Sequence, residues 1–191
     1  RETFEYINKS DSTKNIVNLE ALLNNNVTIE KIAMTSIEDN DKIKVAIANT
    51  KVDKKNQLLS IRNKSNLDVS RKKQLIKFLN GVLDEKVELF VLPENYTPFA
   101  WLDFLATYSK RNQLALVAGL EHVIAGNYAY NYIATILPFV DNNGFKDALV
   151  TIRLKNHYAP REEFELINTY HYSIPQNNPN LYNIFTWKGV K

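Results

Sequence analysis

The sequence of 191 residues contains no cysteine, only five glycines and six prolines. The missing thiol excludes disulfide scaffolds, Cys-built zinc sites, iron–sulfur ligation and any thiol nucleophile within these residues. Scarce glycine removes the motifs that depend on it: there is no G-x-x-x-x-G-K-[ST] phosphate loop, no G-x-G-x-x-G turn and no G-x-S-x-G nucleophile elbow. No apolar run reaches the roughly 18 to 20 residues needed to span a bilayer, and no basic start with an apolar core and a cleavage site opens the chain. A soluble protein of the cytoplasm, without contact to a membrane, is expected. Neither sign of charge dominates, since 24 Lys and Arg stand against 21 Asp and Glu for a net +3. Such a mild mixture does not call for nucleic acid.

What is present suffices for a core. With 45% hydrophobic and 11% aromatic residues, a chain of this length buries roughly two thirds of its unfolded surface without disulfides or structural metal. One domain of ordinary size, or one domain plus a short extension, is expected. The opening on Arg1 rather than Met leads to the expectation of a fragment or a processed piece.

Residues 1–41 read as a helical extension or the tail of an upstream domain. They are rich in Asn, Lys, Ser and Glu, with Ile16, Leu19, Leu22 and Leu23 at helical spacing after Ser10, Asp11 and Ser12. A second short helix is expected after Asn24-Asn25-Asn26, with Ile29, Ile32 and Ala33 on one face. Residues 42–191 form the main domain. The run IKVAIANTKV, apolar on both faces around Val45, Ala46 and Ile47, predicts a strand in the middle of a covered sheet. A polar loop over 53–66 follows, then a helix capped by Ser70 with Leu75, Leu79, Val82 and Leu83 inward, and then the strand Val87 to Leu92, stopped by Pro93. Strand, helix, strand is the order of a parallel βαβ unit.

A helix from Pro98 to Arg111, a third strand over 114–120, and turns at Gly126-Asn127 and Asp141 to Gly144 complete the middle of the chain. The turns predict antiparallel strands over 128–139 and 148–154. Residues 155–179 read as loop, and 183–187 as a last strand.

Two residues stand where chemistry is placed in such a fold. Glu94 follows an apolar strand, at the carboxyl edge where open α/β sheets bind ligands. There it is either a general base or an ordinary loop acid. Lys155 ends a strand and precedes His157, Pro160, Glu162 and Glu163. A lysine beside carboxylates can stabilise an oxyanion, although a strand-end lysine is common. His157 and His171 lack ligand spacing, so no metal is expected, and no sequence feature asks for a cofactor. The basic runs Lys51 to Lys55 and Arg71-Lys72-Lys73 read as solvated faces. Tyr128, Tyr130 and Tyr132 alternate at strand spacing, which favours packing on a sheet over base stacking.

Taken in order, KVAIAN, LFVLPEN around Glu94, ALVAGLE, YNYIATILPFVDNNG with Asn131, and RLKNHYAPREE around Lys155 resemble the carbon–nitrogen hydrolase, or nitrilase-like, superfamily over about four fifths of the chain. The resemblance implies an α/β fold, the first part of an αββα sandwich, and a Glu-Lys-Cys mechanism on non-peptide carbon–nitrogen bonds. By it, Glu94 is the general base and Lys155 stabilises the tetrahedral intermediate. Glu163, eight residues after Lys155, is the supporting acid, with Glu162 the adjacent alternative. Arg153 stands where the family often has an aromatic. The nucleophilic Cys is expected just beyond Lys191, which would leave these residues inactive by themselves.

The partners so implied are a small amide or nitrile substrate and further copies of the same domain. Such domains also follow a reverse transcriptase in some bacterial antiphage defence proteins, which would make residues 1–41 the tail of a fused polymerase. No Tyr followed by paired aspartates occurs in these residues. A catalytically silent scaffold is the alternative reading.

Overall fold

A computed structural model describes residues 28–33, 43–141, 143–176 and 181–188. The helix expected around Ile16 to Leu23 lies outside the described residues. Strand β1 (Thr28–Ala33) precedes β2 (Val45–Ile47). Helices α1 (Lys54–Ile61) and α2 (Val69–Asp84) lead into β3 (Leu89–Thr97). After a 3-10 turn at Phe99–Trp101, helix α3 (Leu102–Asn112) leads to β4 (Ala115–Leu120). A small hairpin of β5 (Val123–Ala125) and β6 (Tyr128–Tyr130) precedes the long strands β7 (Tyr132–Val140) and β8 (Lys146–Leu154). Helix α4 (Pro160–Phe164) runs on into a π-helical turn at Glu165–Thr169, and β9 (Leu181–Thr186) follows. Among the described residues no helix is long and apolar enough to cross a membrane.

The fold is mixed α/β around a five-stranded sheet in the order β2-β3-β4-β7-β8. Strands β2, β3 and β4 are parallel, and β7 and β8 are added antiparallel. The carboxyl ends of β3, β4 and β8 and the start of β7 therefore meet at one edge. Even-numbered residues of the parallel strands face the helices. Phe90, Leu92, Leu116, Ala118, Ala134 and Ile136 form one core with Leu75 and Leu79 of α2 and Leu105 of α3. Each such leucine stabilises the fold by roughly 1.5–3 kcal/mol on burial. The alternate residues Leu89, Ala115 and Leu137 face the other way and meet Phe185 and Trp187, so β9 places a second β layer on that face. The Trp187 indole N–H donates to the Pro138 carbonyl at 2.7 Å.

Several elements differ from expectation. Thr28–Ala33 is a strand rather than a helix, and pairs in parallel with β9 from Thr28–Leu181 to Ala33–Thr186. The partner comes from the far end of the chain, which a local apolar spacing cannot register. β2 is an edge strand rather than a middle one, with Val45 47% and Ile47 75% exposed. Among the described residues the sheet grows only on its other side, past β3. Residues 54–61 are helical rather than loop because Asp53 caps them, accepting from the Lys55 N–H at 2.9 Å, and because Ile61 is buried in a second cluster with Ala129 and Leu166. The α2 cap is Asp68 rather than Ser70, whose own N–H and hydroxyl both donate to Asp68 Oδ1. The stretch expected to be loop after Lys155 holds α4, started by Pro160 at its first position and anchored by buried Leu166 in the turn that follows.

Candidate active site

β3 does not stop at Pro93 but bulges between Leu92 and Thr97. The bulge needs two local allowances. Asn95 takes a left-handed φ of 54°, which Asn tolerates better than most residues. Across on β4, Gly119 has no side chain where a Cβ would stand 2.4 Å from the Glu94 Cα and 2.6 Å from the Pro93 carbonyl oxygen. The bulge turns Glu94 toward the edge where the strand ends converge.

Lys155 reaches the same place from β8. Its N–H donates to the Asn131 carbonyl at 2.8 Å, extending the β7–β8 ladder by one residue. Its Nζ then lies 2.5 Å from Glu94 Oε1 and 2.6 Å from Glu162 Oε2. The Tyr158 ring sits beneath the ammonium, 4.9 Å from it. Asn131 closes the group from the start of β7: its Nδ2 donates to Glu94 Oε1 at 3.1 Å and to Glu162 Oε1 at 3.3 Å. The Asn131 N–H donates to the Tyr158 hydroxyl, which in turn donates to the Ala129 carbonyl.

Of the two adjacent acids it is Glu162, not the expected Glu163, that reaches Lys155. On α4, residues four apart share a face, so Glu162 lies over buried Leu166 and turns inward. Glu163 points with Ile167 to the exposed side, where it lines an open cleft with Tyr158, Tyr172 and Ile174. Spacing from Lys155 alone could not choose between adjacent residues about 100° apart on a helix.

His122 is the residue the sequence reading passed over. It is buried, and its Nε2 lies 3.1 Å from Glu162 Oε1. Glu121-His122 directly follows β4 at its carboxyl end, the same position relative to a strand that singled out Glu94, so the signal was there. His157 and His171, by contrast, are exposed and contribute nothing to this cluster. Among the described residues no group of three or more His, Cys, Asp or Glu side chains is arranged to hold a metal ion.

The electrostatics follow from these contacts. Burial alone would raise the Glu162 pKa, but hydrogen bonds from His122 and Lys155 together with their charges bring it down to about 2. Burial likewise opposes the charge on Lys155, and the hydrogen bonds to Glu162 and Glu94 overcome it, so its pKa is raised. The Tyr158 hydroxyl is pushed up to about 12, chiefly by burial, and stays a neutral donor. The result is a fixed ammonium between two carboxylates. Glu162 is nearly enclosed, whereas the Glu94 side chain is 54% exposed.

Beside this cluster, Arg71 and Glu121 form an ion pair at 2.7 Å with side chains 9% and 0% exposed. Arg71 also donates to the Asn66 and Tyr96 carbonyls and lies over the Trp101 ring. Lys72 lies over Phe104. Two members of the basic run at 71–73 are thus turned onto the protein. The tyrosine alternation is packing, with Tyr130 and Tyr132 stacked at 5.8 Å and Phe99 against Tyr132.

No protein-family model matches the chain, and no curated protein matches it by sequence. Among solved structures it is similar to a carbon–nitrogen hydrolase from Helicobacter pylori G27, with a TM-score of 0.34 and 11% identity over 72% of this chain. The chain spans 44% of that structure's length. Chemistry at the site therefore rests on its own atoms.

Proposed function

We propose that these residues supply the base, the cation and the supporting acid of a hydrolase of non-peptide carbon–nitrogen bonds, with the thiol provided by polypeptide outside the 191 residues. One observation carries this reading: Lys155 Nζ is held between Glu94 Oε1 and Glu162 Oε2 at 2.5 and 2.6 Å. The two carboxylates differ in a way that divides their labour. Glu162, enclosed and held ionised by His122 and Lys155, keeps the lysine charged and aimed. Glu94, the more exposed of the two, is free to face a substrate and exchange protons with it.

In the reaction so assigned, Glu94 accepts the thiol proton as sulfur attacks the amide carbon. The Lys155 ammonium stabilises the oxyanion of the tetrahedral intermediate. Glu94 returns its proton to the departing nitrogen, and ammonia or an amine leaves a thioester. Water then attacks the thioester as Glu94 takes its proton; the intermediate expels the thiolate, Glu94 returns the proton to it, and the carboxylic acid leaves as product.

The test is ammonia release by the full polypeptide from short aliphatic amides and nitriles. Glu94→Gln and Lys155→Met are expected to lower kcat/KM by about 10²-fold or more. Glu162→Gln is expected to cost more than Glu163→Gln. Undiminished hydrolysis in Glu94→Gln removes this assignment. A scaffold without turnover is favoured by the mutual satisfaction of the charges at Lys155 and by the lack of cysteine in these residues. The absence of thiol-dependent turnover in the full polypeptide would establish that alternative.

A further inference from the structure

A crevice of about 350 Å³ opens next to the cluster, between the starts of α1 and α2 and the bulged end of β3. It lies outside the carboxyl ends of two parallel strands, β2 and β3, where open α/β sheets bind ligands. Its size is that of a site for a small molecule. The walls carry Lys51, Lys55 and Arg71, with amide side chains from Asn56, Gln74 and Asn95 between them.

The charges in this crevice do not cancel. Arg71 is neutralised by buried Glu121. Lys51 and Lys55 have no carboxylate partner among the described residues, and the acid on the wall, Asp53, is engaged through Oδ1 in capping α1. One positive charge is left over, which suits a carboxylate monoanion better than a phosphate dianion. The amides add directional donors. The crevice and the cluster share a wall: Asn95 lines the crevice, and its Oδ1 lies 3.4 Å from Asn131 Nδ2, the group that also donates to Glu94.

We propose that this crevice binds a carboxylate on the substrate, so that the hydrolysed group is the amide or nitrile end of a short aliphatic acid. The substrate class rests on the hydrolase reading given above, while the carboxylate subsite rests on the crevice alone. Neither lysine belongs to the catalytic cluster.

Calorimetric titration of the full polypeptide with succinamate and with its uncharged counterpart succinamide tests the proposal. Succinamate is expected to bind about tenfold more tightly, a preference that weakens with added salt. Lys51→Ala/Lys55→Ala, shown folded by circular dichroism, is expected to abolish the preference, and Glu94→Gln to retain it. Equal affinity for the two ligands, or a preference that survives loss of both lysines, overturns the subsite. So does competition in which inorganic phosphate displaces succinamate better than acetate does, since that assigns the crevice to a phosphate. Preferential binding without hydrolysis of any amide keeps the subsite and removes the hydrolase reading. Hydrolysis that ignores the charge on the substrate does the reverse.

Discussion

Gly119→Ala tests whether the bulge at Glu94 depends on a missing side chain. The added Cβ would stand 2.4 Å from the Glu94 Cα, 2.6 Å from the Pro93 oxygen and 2.8 Å from the Glu94 nitrogen. Ordinary carbon contacts begin near 3.5 Å, so β3 and β4 must part by about 1 Å at this point. All three atoms struck are backbone, which no rotamer change can relieve. Gly119 is also fully enclosed between Ala118 and Leu120, both at 0% exposure, so the strand cannot move outward freely. Overpacking of this kind costs about 2–3 kcal/mol, which with a urea m-value near 2 kcal/mol/M lowers the unfolding midpoint by about 1 M. Gly81→Ala in α2 provides an internal control, because nothing lies within 4 Å of its added Cβ. There the gain in helix propensity is expected to stabilise by about 0.5–1 kcal/mol. If Gly119→Ala unfolds within about 0.5 kcal/mol of the parent protein, the contact argument is wrong and the bulge does not depend on Gly119.

The ionisation of Glu162 makes stability depend on acid pH. Its folded pKa of about 2 lies below the unfolded value near 4.5, so the contribution is present above pH 4.5 and is lost as pH falls toward 2. The shift corresponds to an order of 3 kcal/mol, and urea unfolding at several pH values should show Glu162→Gln with a flatter dependence between pH 5 and 2; an unchanged slope would refute the shift. Removing the His122 hydrogen bond should move that acid-side loss to higher pH, so His122→Ala, although it also opens a cavity, is distinguishable by the position of the transition along the pH axis. Arg71→Met leaves the Glu121 carboxylate buried without its cation and should cost about 3–5 kcal/mol, while adding Glu121→Leu should recover much of that loss. A double variant no more stable than Arg71→Met would show that the pair is not the source of the cost.

The βαβ start, the antiparallel additions and Lys155 at the end of β8 were legible because each depends on patterns a few residues long, whereas Glu94 lies in the bulge of β3 rather than past its end. Apolar runs and two glycine turns mark the strands, and strand ends mark where a side chain can face a ligand. α1 escaped notice because its stability comes from Ile61 meeting Ala129 and Leu166, which are distant in sequence. The strand at Thr28–Ala33 escaped for the same reason, since its hydrogen-bonding partner is β9. At the site, Glu162 and Glu163 were equivalent by spacing until α4 was oriented by the burial of Leu166.

Sequence by itself determined which chemistry is represented here: carboxylates and a lysine close to apolar strand segments, no thiol, no phosphate loop. Tertiary structure decided which of those groups meet. The bulge over Gly119 turns Glu94 to the edge, the β7–β8 register sets Lys155 opposite Asn131, and His122 completes the group from β4. The physical reason is range. Backbone preference and apolar periodicity act over a turn or a strand, whereas the charge cluster around Lys155 requires packing to bring five separate segments to one point.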